Sequence, residues 1–479
     1  MSCEGERAAP GSTARKEPIT HPGLGSGAAM EPDQARATVR RTNFAAWKRQ
    51  RGWDPLLIVR AEGSRFWDSS GREYLDFASQ LVATNLGYGN RAVIEAIQRQ
   101  AGRVPYVAPG FASEPRAELS ELLGGVLPPG LRSYLFSTSG TDANEAALKI
   151  ARSFRGRSKV LARPRSYHGS TVGALAVSGD PRRRLVGEST LPGGTVFVPD
   201  CYCYRCPLGL EYPSCKVACA EEVERTLNAE EDVAAMILEP VVGTNGVIVP
   251  VPEYLPRVRA ITERHDVLLI ADEVMTGWGR TGRWFAVDHW GVVPDILTTA
   301  KGITGAYAPL ALTATTTELH DAFLDRPLPH GQTYEAHPLS LAPAVAAIEE
   351  YRRLDLVARS AREGEYLRRR LGELAGRHVC VGDVRGLGLF AAVELVRDAR
   401  HKTPFNTDED LVAGRPMVVD DVVAALRREG VHAMGWISHL LVAPPLVISR
   451  EELDRGIDAF DRALSVADAQ AVASPRSSG

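Results

Sequence analysis

Cysteine is scarce, with seven in 479 residues, too few and too unevenly placed for a disulfide scaffold. No uninterrupted apolar run approaches the ~20 residues a helix needs to cross a bilayer, so no membrane is expected. The first thirty residues carry charges and lack an apolar stretch, so they do not read as a secretory signal. A basic excess is missing too. Lys and Arg number 56 against 59 Asp and Glu, giving a net charge of −3, and no block is strongly basic. A protein that neutralises many phosphates shows such a block, so nucleic acid is not an expected partner. These absences leave the cytoplasm as the default location.

What is present fits an ordinary globular chain. Apolar residues make up 44% and charged residues 24%, enough to bury a sizeable core. The length predicts two to four structural units at ~100–200 residues each. Residues 1–33 and 471–479, without apolar periodicity, are expected to be tails. Tyr74–Phe77 reads as a short strand, and Val93, Ile97 and Val104 as one helical face. From about residue 130, short apolar runs alternate with amphipathic stretches. Strands are predicted at Ser133–Phe136, Lys159–Ala162, Thr195–Val198, Ala235–Leu238, Val267–Ala271 and Ile296–Thr298. They are apolar on both faces, as in a mostly parallel sheet covered by helices. A helix opens after Gly140, with Asp142 as its expected cap, Glu145 three residues on, and Ala143, Ala147, Ile150 and Phe154 on its apolar face. The alternation gives an α/β class. Beyond residue 345, helices surround a small β region at Asp383–Leu395 and Leu440–Ile448. Residues 34–85 and 346–470 are therefore expected to build a smaller α+β domain beside a large domain over 86–345.

In such a sheet, ligands bind outside the carboxyl ends of the strands, and several polar residues sit there. Ser139-Gly140-Thr141 opens a helix and suits a phosphate, or is simply a capped helix start. Glu239 and Asp272-Glu273 end apolar strands, where a carboxylate is costly to bury unless paired. They are site residues, exposed strand ends or structural ion pairs. The glycine-rich stretch Thr276–Arg283 adds two arginines or an ordinary loop. Tyr167-His168 can stack on a planar ring or close the core. Lys301, beside Gly302 and 29 residues after Asp272, is either a desolvated amine with a lowered pKa or one more solvated lysine.

Together these stretches resemble the class III (ω-amino acid) aminotransferases, pyridoxal-phosphate enzymes of fold type I. The matching segments are FSTSGTDANEAALKIAR, SYHGST, LEPVVGTNGVIVP, LLIADEVMTGWGRTGRWFAVDHWGVVPDILTTAKG and HGQTYEAHPLS. They occur in the family's order, and the resemblance covers roughly residues 40–465. YLDFASQLVATNLGYGN, GDPRR, VGDVRGLGLFAAVELV and APPLVIS look most like the taurine–pyruvate subgroup.

The resemblance implies pyridoxal 5'-phosphate as cofactor and a fold in which both chain ends build the smaller domain. It gives Lys301 the Schiff base and the proton shuttle, and Asp272 the pyridine nitrogen. Ser139, Gly140 and Thr141 would hold the phosphate, Tyr167 would stack on the ring beside His168, and Val274 would pack on the opposite face. Glu239 would lie near the substrate with Arg385 as its partner. Gln332-Thr333 would reach the neighbouring subunit's phosphate, which requires a homodimer with shared active sites. Leu81 and Val82 would line the donor pocket, whose lack of an aromatic wall leaves room for more than a two-carbon donor. The implied reaction moves an amino group from a taurine-like, β-alanine-like or larger amine donor to a 2-oxo acid such as pyruvate, or to an aldehyde. The same coenzyme chemistry also serves an aminomutase or an amino-alcohol phosphate lyase.

Two features depart from the family. Many ω-transaminases carry a carboxylate-binding arginine on the loop before the late Pro-Pro, and here His432–His439 has none. The aminotransferase chemistry uses no metal, yet Cys203, Cys206, Cys215 and Cys219 offer four thiolates. They make either a structural zinc site or reduced thiols on a surface excursion. A zinc-binding scaffold without catalysis is the reading from another class.

Overall fold

The computed structural model describes residues 30–471; Cys3 and the rest of the expected tails over 1–29 and 472–479 lie outside that part. Of the described residues, 30–57 form one compact unit and 58–471 a second. The first contains the helix Pro32–Thr42, which has a proline in its first turn and Arg40 and Arg41 in its last, both favourable positions.

The second unit is built on a seven-stranded sheet. Its spatial order is Leu131–Ser137, Ala311–Thr316, Ile296–Thr299, Leu268–Asp272, Val233–Leu238, Lys159–Ala162 and Thr195–Phe197. All strands run parallel except Ala311–Thr316, which is antiparallel to both its neighbours. The six predicted strands are present within two residues at each end. The seventh escapes the sequence reading because Ala-Leu-Thr-Ala-Thr-Thr lacks a continuous apolar run. Its threonines suit a strand, and Thr313 satisfies its buried hydroxyl by donating to the Ala143 carbonyl at 2.9 Å.

The helix Gly140–Arg155 buries Ala143, Ala146, Ala147, Leu148, Ile150 and Ala151 against this sheet. Its N-cap is Ser139, whose hydroxyl accepts from the Asp142 amide, so the expected cap at Asp142 is corrected by three residues. Gly140 is already helical, which places Asp142 in the first turn, where its charge favours the helix dipole. Glu145 instead accepts from the Thr171 hydroxyl and the Ala174 amide at 2.9 Å. In the helix Arg91–Arg103 the buried face is Val93, Ala96 and Gln100; Val104 lies past its end and is exposed.

Two smaller sheets flank the central one in sequence. Ile58–Glu62, Arg65–Asp68 and Glu73–Asp76 form an antiparallel set, joined in parallel by Val431–His432 from the other end of the chain. The β region expected at Asp383–Leu395 is a hairpin, Val381–Leu387 with Phe390–Asp398. Gly388 makes the reversal at φ +55°, and a Cβ there would come within 2.4 Å of the Thr281 carbonyl carbon. The last predicted β stretch ends early, at Val442, because Pro444 and Pro445 have no amides for a ladder.

Candidate active site

The carboxyl ends of the parallel strands gather Thr138-Ser139, Glu239, Asp272 and Lys301 at one edge of the sheet. Lys301 follows Ile296–Thr299 and opens a short 3-10 turn in a left-handed conformation, φ +49°. That conformation is strained for a lysine, and such strain persists only where the surroundings impose it. Gly302 helps impose it: a Cβ there would meet Asn85 Nδ2 and Trp278 Cβ, each at 2.7 Å. Burial lowers the Lys301 pKa to about 8, against the pull of the Asp272 and Glu239 charges. A lysine in that state is a competent nucleophile near neutrality.

Asp272 ends its strand fully engaged. Its Oδ1 accepts from the Val274 amide at 3.0 Å. Its Oδ2 accepts from Asn144 Nδ2 at 2.8 Å and lies 2.7 Å from His168 Nδ1. Asn144 is set in turn by Thr298, whose hydroxyl donates to Asn144 Oδ1 at 2.6 Å. His168 is thus not beside Tyr167 as a second stacking ring. It is buried behind Asp272, its amide donating to Ser178 Oγ at 2.8 Å, and its buried Nε2 has no hydrogen-bond partner. The following residue, Glu273, plays a different part. It accepts from the Ala286 and Val287 amides at 2.9 and 2.8 Å, and burial pushes its carboxyl up to about 7.

Ser139, Gly140 and Thr141 present the amino end of the long helix, where the first N–H groups have no acceptor within the helix. Val274 packs with Ala143, Ala300 and Ala311, and its methyls would lie 2.8 Å from a Cβ on Gly140. Thr141 Oγ1 accepts from the Ser170 amide at 3.3 Å, which ties the helix start to the Tyr167–Ser170 loop. The other end of that loop is held by Glu239, whose two oxygens accept from the Tyr167 amide at 3.0 Å and the Gly243 amide at 2.8 Å.

The expected Glu239–Arg385 pair is absent, and that expectation is corrected. Arg385 donates through all three nitrogens elsewhere: to the Gly246 carbonyl at 2.6 Å, Asp383 at 2.8 Å and Glu394 at 2.7 Å. Two carboxylates on the same hairpin satisfy its charge at no cost in reach. Leu81 is 67% exposed, while Val82 is buried in a cluster with Val241, Val247, Phe390 and Leu441. Val82→Trp is therefore expected to overpack that cluster and cost ~1–3 kcal/mol, read as a lower Tm with an unaltered donor range. A narrowed donor range at unchanged Tm would return Val82 to the pocket wall. Thr333 is exposed, and its carbonyl accepts from Tyr106 at 2.9 Å.

Among the described residues no three His, Cys, Asp or Glu side chains converge on a metal-sized site. Cys203 is exposed, Cys206, Cys215 and Cys219 are half-buried, and the six described cysteines are free thiols. The cysteine segment sends Tyr202 to Glu394 at 2.6 Å and Arg205 to the same carboxylate at 2.9 Å.

The sequence alone does not single out Asn144, Arg182, Asn245 or Trp436. Asn144 had a signal, an amide on an otherwise apolar helix face, which demands a buried partner. Arg182 had none beyond its place in GDPRR.

The family model for class-III aminotransferases matches residues 47–464. A leucine/methionine racemase from Thermococcus litoralis is 37% identical, over 86% of this chain and 91% of its own length. A taurine–pyruvate aminotransferase from Rhodobacter capsulatus is 36% identical, over 86% and 92%. The crystal structure of a taurine:2-oxoglutarate aminotransferase from Bifidobacterium kashiwanohense, in complex with PLP and glutamate, superposes with a TM-score of 0.87 at 32% identity, over 92% of this chain and 99% of that one.

Proposed function

The chain belongs to the class-III aminotransferases, fold type I enzymes that carry out pyridoxal-phosphate-dependent transamination, and from that membership we propose how its own residues divide the work. The observation that carries the reading is Lys301. It is a half-buried residue whose desolvated amine is brought down to about 8, at the mouth of a parallel sheet, with Asp272 held by three donors nearby.

The residues fit the cofactor. A helix amino terminus flanked by Ser139 and Thr141 suits its phosphate, Asp272 its pyridine nitrogen, Tyr167 and Val274 its two faces, and Lys301 its aldehyde. When bound, pyridoxal phosphate supplies an electron-accepting ring for the pair left behind as the donor carbon loses its proton. Lys301 Nζ would take that proton and return it two bonds away, on the far side of the donor nitrogen, its lowered pKa allowing both steps near neutral pH. Asn144, His168 and the Val274 amide fix Asp272 so that its charge faces a single direction. Glu239 holds the Tyr167 loop and the turn at Gly243 in place.

The donor we propose is an ω-amino acid or related primary amine, with a 2-oxo acid such as pyruvate or an aldehyde as acceptor. The taurine-using relatives support this reading. We further propose a homodimer, with Thr333 of each chain serving the other's phosphate. The exposed apolar side chains of Tyr106, Phe111 and Tyr334 near that segment support it. No helix among the described residues is long and apolar enough to cross a membrane, and the free thiols suit the reducing cytoplasm.

The test is a panel of amines against pyruvate, 2-oxoglutarate and oxaloacetate. A carbonyl product from the donor and an amino acid from the acceptor, in equal amounts, are expected. Inversion of a chiral amino acid with no second substrate would favour racemisation, and rearrangement or elimination without an acceptor would favour a mutase or lyase. Light scattering should give the mass of a dimer.

A further inference from the structure

Three arginines lie around the site, and carboxylates neutralise two of them. Arg385 holds Asp383 and Glu394. Arg182, whose guanidinium carbon lies 3.8 and 4.6 Å from the ring centres of Tyr167 and Trp436, donates to Asp180 from Nε at 2.7 Å and Nη2 at 2.8 Å. Arg280 is the exception. It is completely buried, and the partners of its fork are all neutral oxygens. Nη1 donates to the Leu389 and Pro444 carbonyls at 2.9 and 2.6 Å, and Nη2 to Ser79 Oγ and Asn85 Oδ1 at 3.0 and 2.7 Å. Its buried Nε has no hydrogen-bond partner. A buried cation without a counter-ion destabilises a fold, and such conflicts collect where function requires them.

The four bonds converge beside the turn that carries Lys301. Ser79 and Asn85 bracket a strained stretch in which Ser79, Gln80 and Val82 have φ of 44°, 57° and 59°. That conformation is costly for any residue with a Cβ and most of all for a β-branched one. Ser79 Oγ also donates to the Ala443 carbonyl at 2.7 Å, next to the Pro444 carbonyl that Arg280 binds. One guanidinium thus fastens the strained stretch to the C-terminal segment. Asn85 passes the restraint on. Its Nδ2 donates to the Trp278 carbonyl at 3.1 Å and lies 2.7 Å from where a Cβ on Gly302 would stand. Trp278 Cβ is equally close to that point, and its indole donates to Thr299 Oγ1 at 2.8 Å, on the strand that leads into Lys301. Tyr351, from the helix Pro338–Arg353, donates to the Gly302 carbonyl at 2.7 Å and closes the turn.

We propose that Arg280 is a positioning residue for Lys301: by fastening Ser79, Asn85, Leu389 and Pro444 to one buried guanidinium, it fixes the Asn85–Trp278 surface on which the Lys301–Gly302 turn is built. The assignment rests on the aminotransferase reading above, in which Lys301 reacts. The charge of Arg280 acts in the same direction as its hydrogen bonds. Asp272 and Glu239 favour the charged form of the Lys301 amine, while Arg182 and Arg280 oppose it.

The experiment compares full-length wild type with Arg280→Gln, Arg280→Lys and Asn85→Ala. It reads the pH midpoint at which cofactor-free protein captures pyridoxal 5'-phosphate, and kcat and KM for the amine that wild type uses best. Displacing a reacting group by about 1 Å costs on the order of 10²-fold, so Arg280→Gln should lower kcat by ~10–100-fold with donor KM within ~3-fold of wild type. Its capture midpoint should rise from about 8 toward the 10.5 of an ordinary lysine, because a positive charge facing the amine is gone. Arg280→Lys keeps a cation but not the fork, and should lie between Arg280→Gln and wild type in both quantities. Asn85→Ala cuts the link and leaves the cation, so kcat should fall ~10-fold with the midpoint kept near 8. A folded Arg280→Gln with a wild-type kcat or an unmoved midpoint would overturn the assignment, and a lower Tm alone would leave Arg280 a packing residue. If that variant does not fold, Asn85→Ala decides, and a wild-type kcat there would overturn the assignment equally. Wild type inert toward every amine would instead defeat the aminotransferase reading itself.

Discussion

Lys301→Ala should leave a folded, coenzyme-binding protein whose turnover is slower by ~10⁴-fold or more, because one side chain supplies both the nucleophile and the proton carrier. The helix start at Ser139–Thr141 and the Asp272 carboxylate do not depend on Lys301, so coenzyme should still be retained on gel filtration. Borohydride should fix coenzyme covalently to the wild type at Lys301, identified by peptide mass, and to no residue of the variant. Normal turnover by the variant would end the assignment. The wild type also has a pH signature. Cofactor-free protein should capture the coenzyme aldehyde with a midpoint near pH 8, set by burial of the amine, well below the 10.5 of an ordinary lysine. The same burial disfavours the charged form in the folded state alone. The cofactor-free fold should therefore gain stability as pH rises from about 8 to about 10.5.

Asp272→Asn is the second large effect. All three neighbours of this carboxylate point donors at it: Asn144 Nδ2, the Val274 amide and His168 Nδ1. An asparagine has one oxygen where the aspartate has two, so its NH₂ must face at least one donor. That mismatch should cost ~1–3 kcal/mol of stability, seen as a lower Tm. Turnover should fall by ~10²–10³-fold or more, since a neutral amide cannot support positive charge on the pyridine nitrogen. The coenzyme absorbance should shift with it. A rate equal to wild type would mean that another residue faces the nitrogen. Asn144→Ala provides the graded comparison, since it removes one support and leaves the charge, and its loss of rate should be smaller.

The site was legible in uneven measure. Asp272, Glu239 and Lys301 stand out in the sequence because each ends or follows an apolar strand, where a charge has no reason to be unless it is used. Tyr167 and His168 stood out as a pair, but chain order could not separate them. The sheet turns one toward Arg182 and buries the other behind Asp272. The Glu239–Arg385 pairing failed for a related reason. Arg385 has closer carboxylates at Asp383 and Glu394, one two residues away on its own strand and one across the hairpin, and neither rivalry is visible until the hairpin is folded. Ser139 displaced Asp142 as the cap because Gly140, which favours a turn in sequence terms, takes a helical conformation under Val274.

The periodicity of apolar residues determined the α/β class and six of the seven central strands. Hydrophobic burial on both faces of a parallel sheet dictates that pattern residue by residue. The motifs determined the order of the chemical groups along the chain. Their partners came from contacts between residues far apart in sequence: Asn144 to Asp272, Thr298 to Asn144, Tyr202 to Glu394, and Arg182 between Tyr167 and Trp436. A buried polar group takes whichever partner the packed backbone brings within about 3 Å, and that distance is set by the whole fold, so no local stretch of sequence records it.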